Sequence, residues 1–133
     1  MKTSKLVVAL VLFFGILTGC TSDDTSVPNP KQKEQNDSLE EMLGELIKIS
    51  ESVNCVNADD WTFTPIGSKA CGGPTGFLAY STTIDTYDFL QKVTTYATAM
   101  NAYNIKWNIV SDCSVPATPV DVACVDGKAE LVY

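Results

Sequence analysis

The feature that most constrains the fold of this chain is a set of four cysteines in a small exported domain. They are Cys55, Cys71, Cys113 and Cys124. Export is indicated by the N-terminus, where Lys2 and Lys5 precede an apolar run over residues 6–17, the layout of a signal peptide. Because an even number of cysteines in such a domain is typical of a disulfide framework, we predict two disulfides, for which three pairings are possible.

The two predicted bridges would supplement a limited hydrophobic core, and each can add about 2 to 4 kcal/mol by restricting the unfolded chain. Among the three pairings we prefer the one that closes two short local loops. It joins Cys55 to Cys71 and Cys113 to Cys124. A zinc site built from all four cysteines is the alternative, but the chain has no Cys-x-x-Cys spacing, and the compartment is oxidising.

A fifth cysteine stands directly behind the apolar run, which is shorter than the roughly 20 residues that a membrane-spanning helix needs. The ending Leu17-Thr18-Gly19-Cys20 resembles the lipobox of bacterial lipoproteins, in which the cysteine is acylated and becomes the first residue after cleavage. The resemblance implies that residues 1–19 are a lipoprotein signal peptide and that Cys20 carries the lipid, including palmitate. An ordinary signal peptide with an accidental cysteine is the alternative.

The lipid implies a tethered protein that does not span the membrane, because several acyl chains hold a soluble domain on a bilayer almost permanently. Thr21 follows the cysteine in place of the Asp that retains many proteobacterial lipoproteins at the inner membrane, which implies the outer membrane. Thr21-Ser22-Asp23-Asp24 also resembles the acidic surface-export signal of Bacteroidetes lipoproteins, which implies cell-surface exposure. A solvated acidic start to a linker is the alternative for this stretch.

The charge of the chain excludes one class of partner. Loss of Lys2 and Lys5 with the signal changes the formal net charge from −7 to −9. Nucleic acid is excluded as a partner, since phosphate binding needs clustered Lys and Arg. The shortage of basic residues also argues against docking on an anionic membrane by charge, so we expect the lipid alone to provide the membrane contact.

The chain divides into a tether and one folded domain. Residues 21–36 are polar, carry Pro28 and Pro30, and have one bulky apolar residue, a composition typical of disorder. We therefore predict a lipidated, disordered tether over residues 20–37 and a single disulfide-bonded domain over residues 38–133.

Two helices are predicted from capping residues that precede apolar residues at helical spacing. A capping-box pair starts at Ser38 and predicts a helix over residues 38–54. A second pair starts at Asp85 and is followed by an aromatic stripe, which predicts a helix over residues 85–104. An aromatic stripe at this spacing is typical of a core-facing surface.

Strands are predicted where apolar and polar residues alternate over short runs. These runs cover residues 61–66, 77–81, 105–109, 120–125 and 128–133. The last two flank Asp126-Gly127, a favoured pair for a two-residue hairpin turn. Together the elements predict an α+β fold, in which a small antiparallel sheet of four to five strands is packed by two helices.

The domain contains several short motifs, which are Ile-Gly-Ser-Lys-Ala-Cys-Gly-Gly-Pro at residues 66–74, Ala79-Tyr80-Ser81, Ser111-Asp112-Cys113 and a final Pro-x-x-x-x-Cys-x-x-Gly. Together they resemble the motifs of a group of small exported, cysteine-containing bacterial proteins of unknown function. The resemblance covers residues 55–133 and implies a coherent domain. It implies no mechanism.

The composition leaves few routes to catalysis. The chain has no histidine and no arginine, which excludes Ser-His-Asp and Cys-His nucleophiles and bidentate arginine clamps. Asp59 and Asp60 are adjacent and, with Asn57, could offer oxygen atoms to calcium, but the register of an EF-hand is absent. We interpret this stretch as a solvated turn, and we expect no enzyme activity, no metal and no cofactor.

We therefore hypothesise a non-catalytic interaction or binding module at the cell envelope, with an envelope protein or a glycan as its partner. Trp61, Phe63 and Tyr80 are candidate contact residues, because aromatic side chains are common interface anchors. The alternative is an envelope serine-protease inhibitor, in which the glycine-rich loop over residues 67–76 presents Lys69 to the acidic pocket of a trypsin-like protease. We expect the protein to be a monomer.

Overall fold

The computed structural model describes residues 29–133. The predicted signal peptide, Cys20 and the acidic stretch behind it lie outside the described residues. The elements are α1 (Pro30–Ser50), a short 3-10 helix (Ala58–Asp60), β1 (Trp61–Ile66), β2 (Gly76–Ser81), α2 (Thr86–Trp107), β3 (Asp121–Val125) and β4 (Lys128–Val132). Within residues 29–133, no helix is long and apolar enough to cross a membrane. The predicted α+β class is confirmed.

Helix α1 begins eight residues before its predicted start. The side chain of Asn29 accepts a hydrogen bond of 3.0 Å from the Lys31 amide and caps the helix, and Pro30 occupies the first turn. Proline is well suited to that position because the missing N–H has no helical partner there. The prediction of a disordered tether up to residue 37 is therefore wrong for residues 30–37, and Ser38 lies within the helix, not at its cap.

Helix α2 is confirmed at its start and is longer than predicted at its end. The Asp85 side chain caps it by accepting a 3.0 Å hydrogen bond from the Asp88 amide. The helix continues to Trp107 and stops at Asn108, which adopts a left-handed conformation with φ of 49°. The predicted strand over residues 105–109 is wrong, since its first three residues are helical, and Trp107 reaches back to donate to Gln35 of α1.

The four strands form two antiparallel pairs rather than one sheet. In the first hairpin, β1 pairs with β2, with Trp61 opposite Ser81. In the second hairpin, β3 pairs with β4 around Asp126 and Gly127, whose φ angles are 51° and 78°. This confirms the predicted turn, because positive φ at both central positions is the signature of the type I′ two-residue hairpin turn. The single sheet of four to five strands is not confirmed.

The first hairpin lies between the helices and the second hairpin, so the domain has three layers. One face of the first hairpin packs on the helices and forms the helix-side core. The buried members of that core are Leu46, Tyr80, Phe89, Val93 and Tyr96. The other face packs on the second hairpin and forms the inner cluster. The buried members of the inner cluster are Cys55, Trp61, Ala79 and Val122.

Both predicted disulfides are present, but the preferred local pairing is wrong. Cys55 bonds to Cys124 across 69 residues of chain, and Cys71 bonds to Cys113 across 42 residues. The second hairpin returns to the segment that precedes β1, where the Cys55 amide donates a 2.9 Å hydrogen bond to the Gly127 carbonyl. The pairing is thus set by tertiary contacts, and the zinc alternative is also wrong because all four sulfur atoms are in disulfides.

Candidate functional site

A cleft of about 610 Å³ opens between the two hairpins, along β2 and β4, beside the C-terminal end of α1. Its volume is within the range of about 300 to 1,000 Å³ that small-ligand sites occupy. Its apolar walls include Val53, Trp61, Phe77, Ala79, Ala129 and Leu131. Most of these side chains belong to or pack on the inner cluster, so the cleft leads into the space between the hairpins.

Two small residues help to keep this space open. Ala79 of β2 and Ala129 of β4 both point into the inner cluster and line the cleft. Each carries a single methyl group, whereas leucine at the same positions would fill part of the volume between the sheets. Well-packed interiors leave few voids, so an apolar cleft of this size is a candidate binding site rather than an ordinary packing gap.

The rim of the cleft is polar and carries more negative than positive charge. Glu51, at the end of α1, and Glu130 of β4 supply two carboxylates, and Lys128 supplies one ammonium group. All three side chains belong to exposed residues. A ligand that carries positive charge beside an apolar part would therefore match this rim better than an anionic one.

Strand edges border the cleft on two sides. Three consecutive residues of β2, 77–79, and five consecutive residues of the second hairpin, 127–131, line it. Side chains alternate between the two faces of a strand, so contact with consecutive residues shows that the cleft runs along the edges. Each sheet has only two strands in the described part of the chain, so these edges offer backbone N–H and C=O groups, except for the Gly127 carbonyl, which accepts from the Cys55 amide.

The three predicted contact aromatics do not form one surface. Trp61 is 9% exposed and borders the cleft from the inner cluster. Phe63 is half-buried and meets Phe77 edge-to-face, with ring centroids 5.9 Å apart. Tyr80 lies on the opposite face of the hairpin, in the helix-side core, 4.9 Å from the ring of Phe89. Of the three, Trp61 alone lines the cleft.

The Lys69 side chain is held against the domain by its contacts and is 15% exposed. Its Nζ donates to Asp112 Oδ1 at 2.9 Å, to the Ser114 carbonyl at 2.6 Å and to Ser114 Oγ at 3.0 Å. These contacts, with the Cys71–Cys113 disulfide, tie the glycine-rich loop to the loop that follows α2. Hydrogen bonds from Ser114 and Lys69 lower the pKa of Asp112.

The predicted turn at residues 57–60 is structural. The Asn57 side chain accepts from the Asp59 amide at 3.3 Å, and the Asp60 carbonyl accepts from the Thr82 amide at 2.8 Å. Neither Asp59 nor Asp60 lines the cleft, and Asp112 is bound to Lys69 at another place. Among residues 29–133, no cluster of three or more carboxylate or cysteine side chains could hold a metal ion.

Comparisons of the chain with protein-family models, with curated proteins and with solved structures gave no match. What the site can bind is inferred from the chemistry of the cleft. Its interior suits an apolar group, its strand edges can donate and accept backbone hydrogen bonds, and its rim favours cationic neighbours. The β4 residues that line the cleft could not be recognised as a site from the sequence, because no motif marks them. The alternation over residues 128–133 and the Asp126-Gly127 turn indicate only a hairpin there.

Proposed function

We propose that this chain is a lipid-anchored, non-catalytic binding module of the bacterial outer membrane, which faces the envelope or the cell surface. The anchor is supported by the sequence, in which the Leu17-Thr18-Gly19-Cys20 ending stands behind a charged and apolar signal. The lipid at Cys20 holds the domain at the membrane, and the domain binds its ligand without transforming it.

The observation that carries the binding function is the cleft between the hairpins. It combines an apolar interior with a polar rim, as ligand sites generally do. Its ionisable rim groups are exposed, and the chain has no histidine to serve as a general base near neutral pH. Binding an apolar group is the function that these properties support best.

The contacts of Lys69 give the protease-inhibitor alternative no support. An inhibitor would have to extend this side chain into a protease pocket, whereas Nζ already donates to Asp112 and Ser114 within the domain. Extension would break these hydrogen bonds and leave the acceptor atoms of Asp112 and Ser114 without their cationic partner.

Site-specific photocrosslinking in intact cells tests the binding function. A benzoylphenylalanine replaces Tyr133, which lines the cleft and is 69% exposed, in the full-length protein. The matched control carries the same group at Tyr87, which is 76% exposed and lies on α2, away from the cleft. We expect an adduct with one species from position 133 and not from position 87, identified by mass spectrometry.

A second control tests the anchor. Cys20→Ala should release the protein from the membrane fraction, and the adduct should disappear if the ligand is also confined to the membrane. No adduct from position 133, or the same adducts from both positions, would contradict the assignment of the cleft as the binding site.

A further inference from the structure

We propose that the cleft holds an extended peptide segment of a partner protein, which pairs antiparallel with the free edge of β4. Its alternate apolar side chains would enter the space between the two hairpins, and its ends would carry basic residues. This inference rests on the proposed binding function and names the occupant of the same cleft.

The free edge of β4 is the main reason to infer a peptide. Residues 127–131 line the cleft consecutively, so the backbone of β4 borders it as well as the side chains. β4 pairs with β3 on one side and, among the described residues, with no strand on the other. An extended peptide is the occupant that satisfies such an edge, because its own backbone supplies donors and acceptors at the same spacing.

The direction of the open hydrogen-bonding groups follows from the hairpin register. Val125 and Lys128 face each other across the two-residue turn. Residues that flank such a turn form a hydrogen-bonded pair, and hydrogen-bonded pairs recur at every second residue. Lys128 and Glu130 therefore bond to β3, whereas Ala129 and Leu131 direct their N–H and C=O groups to the cleft.

This geometry determines the pattern of the bound peptide. Ala129 and Leu131 also pack their side chains on the inner cluster. In an antiparallel pair, directly opposed residues place their side chains on the same face and exchange hydrogen bonds when their groups point at each other. The peptide residues opposite Ala129 and Leu131 are thus the inward-facing ones, so they should be apolar, and they should also be the residues whose N–H groups donate to β4.

The walls and the charge of the cleft agree with such a segment. An inward-facing side chain would lie among Trp61, Phe77 and Ala79 on the opposite wall. Glu51 and Glu130 at the rim, together with the formal net charge of −7 for the chain, favour basic residues at the ends of the peptide. Acidic residues at the ends of the peptide would be repelled by the rim carboxylates and would oppose binding.

The test uses a capped heptapeptide with the order lysine, valine, threonine, valine, threonine, valine, lysine. In one version the three valine nitrogens are methylated, and in the matched version the two threonine nitrogens and one lysine nitrogen are methylated. Binding is measured by surface plasmon resonance on the processed full-length protein in phosphatidylcholine nanodiscs, with empty nanodiscs as reference. A fourth peptide carries glutamate in place of each lysine.

We expect valine methylation to weaken binding by about tenfold or more, because it removes several donors that face β4. The version methylated at the other positions should retain most of its affinity, since those nitrogens face away from β4. The glutamate peptide should bind more weakly than the lysine peptide, and this difference should shrink as salt is added.

Protein variants locate the site. Ala129→Trp fills the cleft and should abolish peptide binding, whereas Ala123→Trp places the same side chain on the outward face of β3 and should not. Circular dichroism tests whether each variant is folded. The comparison between the methylated peptides needs no change in the protein, so the test holds even if Ala129→Trp does not fold.

Three results would overturn the inference, and they differ in what they mean for the proposed function. Equal binding of both methylated peptides, lost in Ala129→Trp, would leave the cleft as an apolar binding site but remove strand pairing. Failure of all the peptides alongside a crosslink from position 133 would leave the binding function and exclude this peptide class. A dimer in sedimentation equilibrium that dissociates in Ala129→Trp would make a second copy the occupant.

Discussion

The nested arrangement of the two disulfides predicts that the buried bridge stabilises the domain more than the exposed one. The outer bridge, Cys55–Cys124, encloses both half-cystines of the inner bridge, Cys71–Cys113. Each bridge can be removed separately by replacing both of its cysteines with alanine. Both variants keep the other bridge, so their difference depends on loop lengths and on burial.

Loop closure accounts for most of the expected loss in the free energy of unfolding when a bridge is removed. With the inner bridge present, the outer one closes an effective loop of about 27 residues, 69 less 42, which is worth about 3.6 kcal/mol in the chain-entropy model. Removing the inner bridge loses about 4 kcal/mol for its own loop, but the outer loop then grows to 69 residues and gains about 0.8 kcal/mol. The net losses are therefore about 3.6 and about 3 kcal/mol.

The burial of the sulfur atoms adds a second contribution to this loss of stability. Cys55 is 3% exposed and lies in the inner cluster, so removing its sulfur leaves a small cavity that costs about 1 kcal/mol. Cys71 and Cys113 are both exposed, and their removal leaves no such cavity. The outer bridge should thus contribute about 4.5 kcal/mol to the free energy of unfolding, and the inner bridge about 3 kcal/mol.

The assay is equilibrium unfolding in guanidinium chloride, followed by tryptophan fluorescence and circular dichroism on residues 21–133 under non-reducing conditions. Because small domains have a total stability of about 5 to 15 kcal/mol, we expect Cys55→Ala/Cys124→Ala to be marginally stable and Cys71→Ala/Cys113→Ala to remain clearly folded. If the inner pair costs as much stability as the outer pair, or more, the reasoning from nested loops and burial is wrong.

Three further predictions concern the glycine-rich loop. Gly67→Ala should lower the free energy of unfolding by about 3 kcal/mol, because Gly67 has a φ of 71° and an added Cβ would meet the Thr75 side chain. Gly73 has a φ of 80° but open space around it, so Gly73→Ala should lower it by only about 1 to 2 kcal/mol in the same guanidinium chloride titration. Lys69→Met should lower the stability by about 1 to 2 kcal/mol and Lys33→Met by less, since the Lys33 pair is exposed at the surface; equal losses in thermal unfolding would contradict the role of the Lys69 contacts. The oxidised chain should not inhibit trypsin in a peptide-substrate assay, and inhibition that is lost in Lys69→Met would show that Lys69 leaves its contacts to enter a protease.

Local signals in the sequence were sufficient for the elements whose ends are set by local interactions. Asp85 predicted the start of α2 because a capping side chain and its amide are three residues apart. Asp126-Gly127 predicted the second hairpin because few residue pairs adopt two positive φ angles. The predicted start of α1 is too late, because a proline such as Pro30 is typical of disordered segments but also suits the first helical turn.

The assembly of these elements could not be predicted locally. The separation of the strands into two hairpins and the pairing of Cys55 with Cys124 depend on which faces pack together, and one sequence gives no such long-range information. The cleft is a consequence of that packing, since Ala79 and Ala129 are unremarkable until they line the same space. The core position of Tyr80 could not be told from a contact surface by sequence, because an aromatic side chain in a strand suits a core and an interface equally well.

The Lys69 contacts also predict how stability depends on pH. The pKa of Asp112 is lowered from 3.8 by hydrogen bonds from Ser114 and Lys69, so folding favours the ionised carboxylate. Its stabilising contribution is present at pH values above the unfolded pKa and is lost as the pH falls through the lower folded pKa. Asp112→Asn should therefore be less stable than the parent chain near pH 7, and this difference should shrink as the pH falls below about 4. Thermal unfolding at several pH values measures it, with Asp126→Asn, at a turn without such donors, as the control. A difference that stays constant down to about pH 2 would show that the Asp112 carboxylate does not help to join the two loops, and that the Cys71–Cys113 disulfide holds them without it.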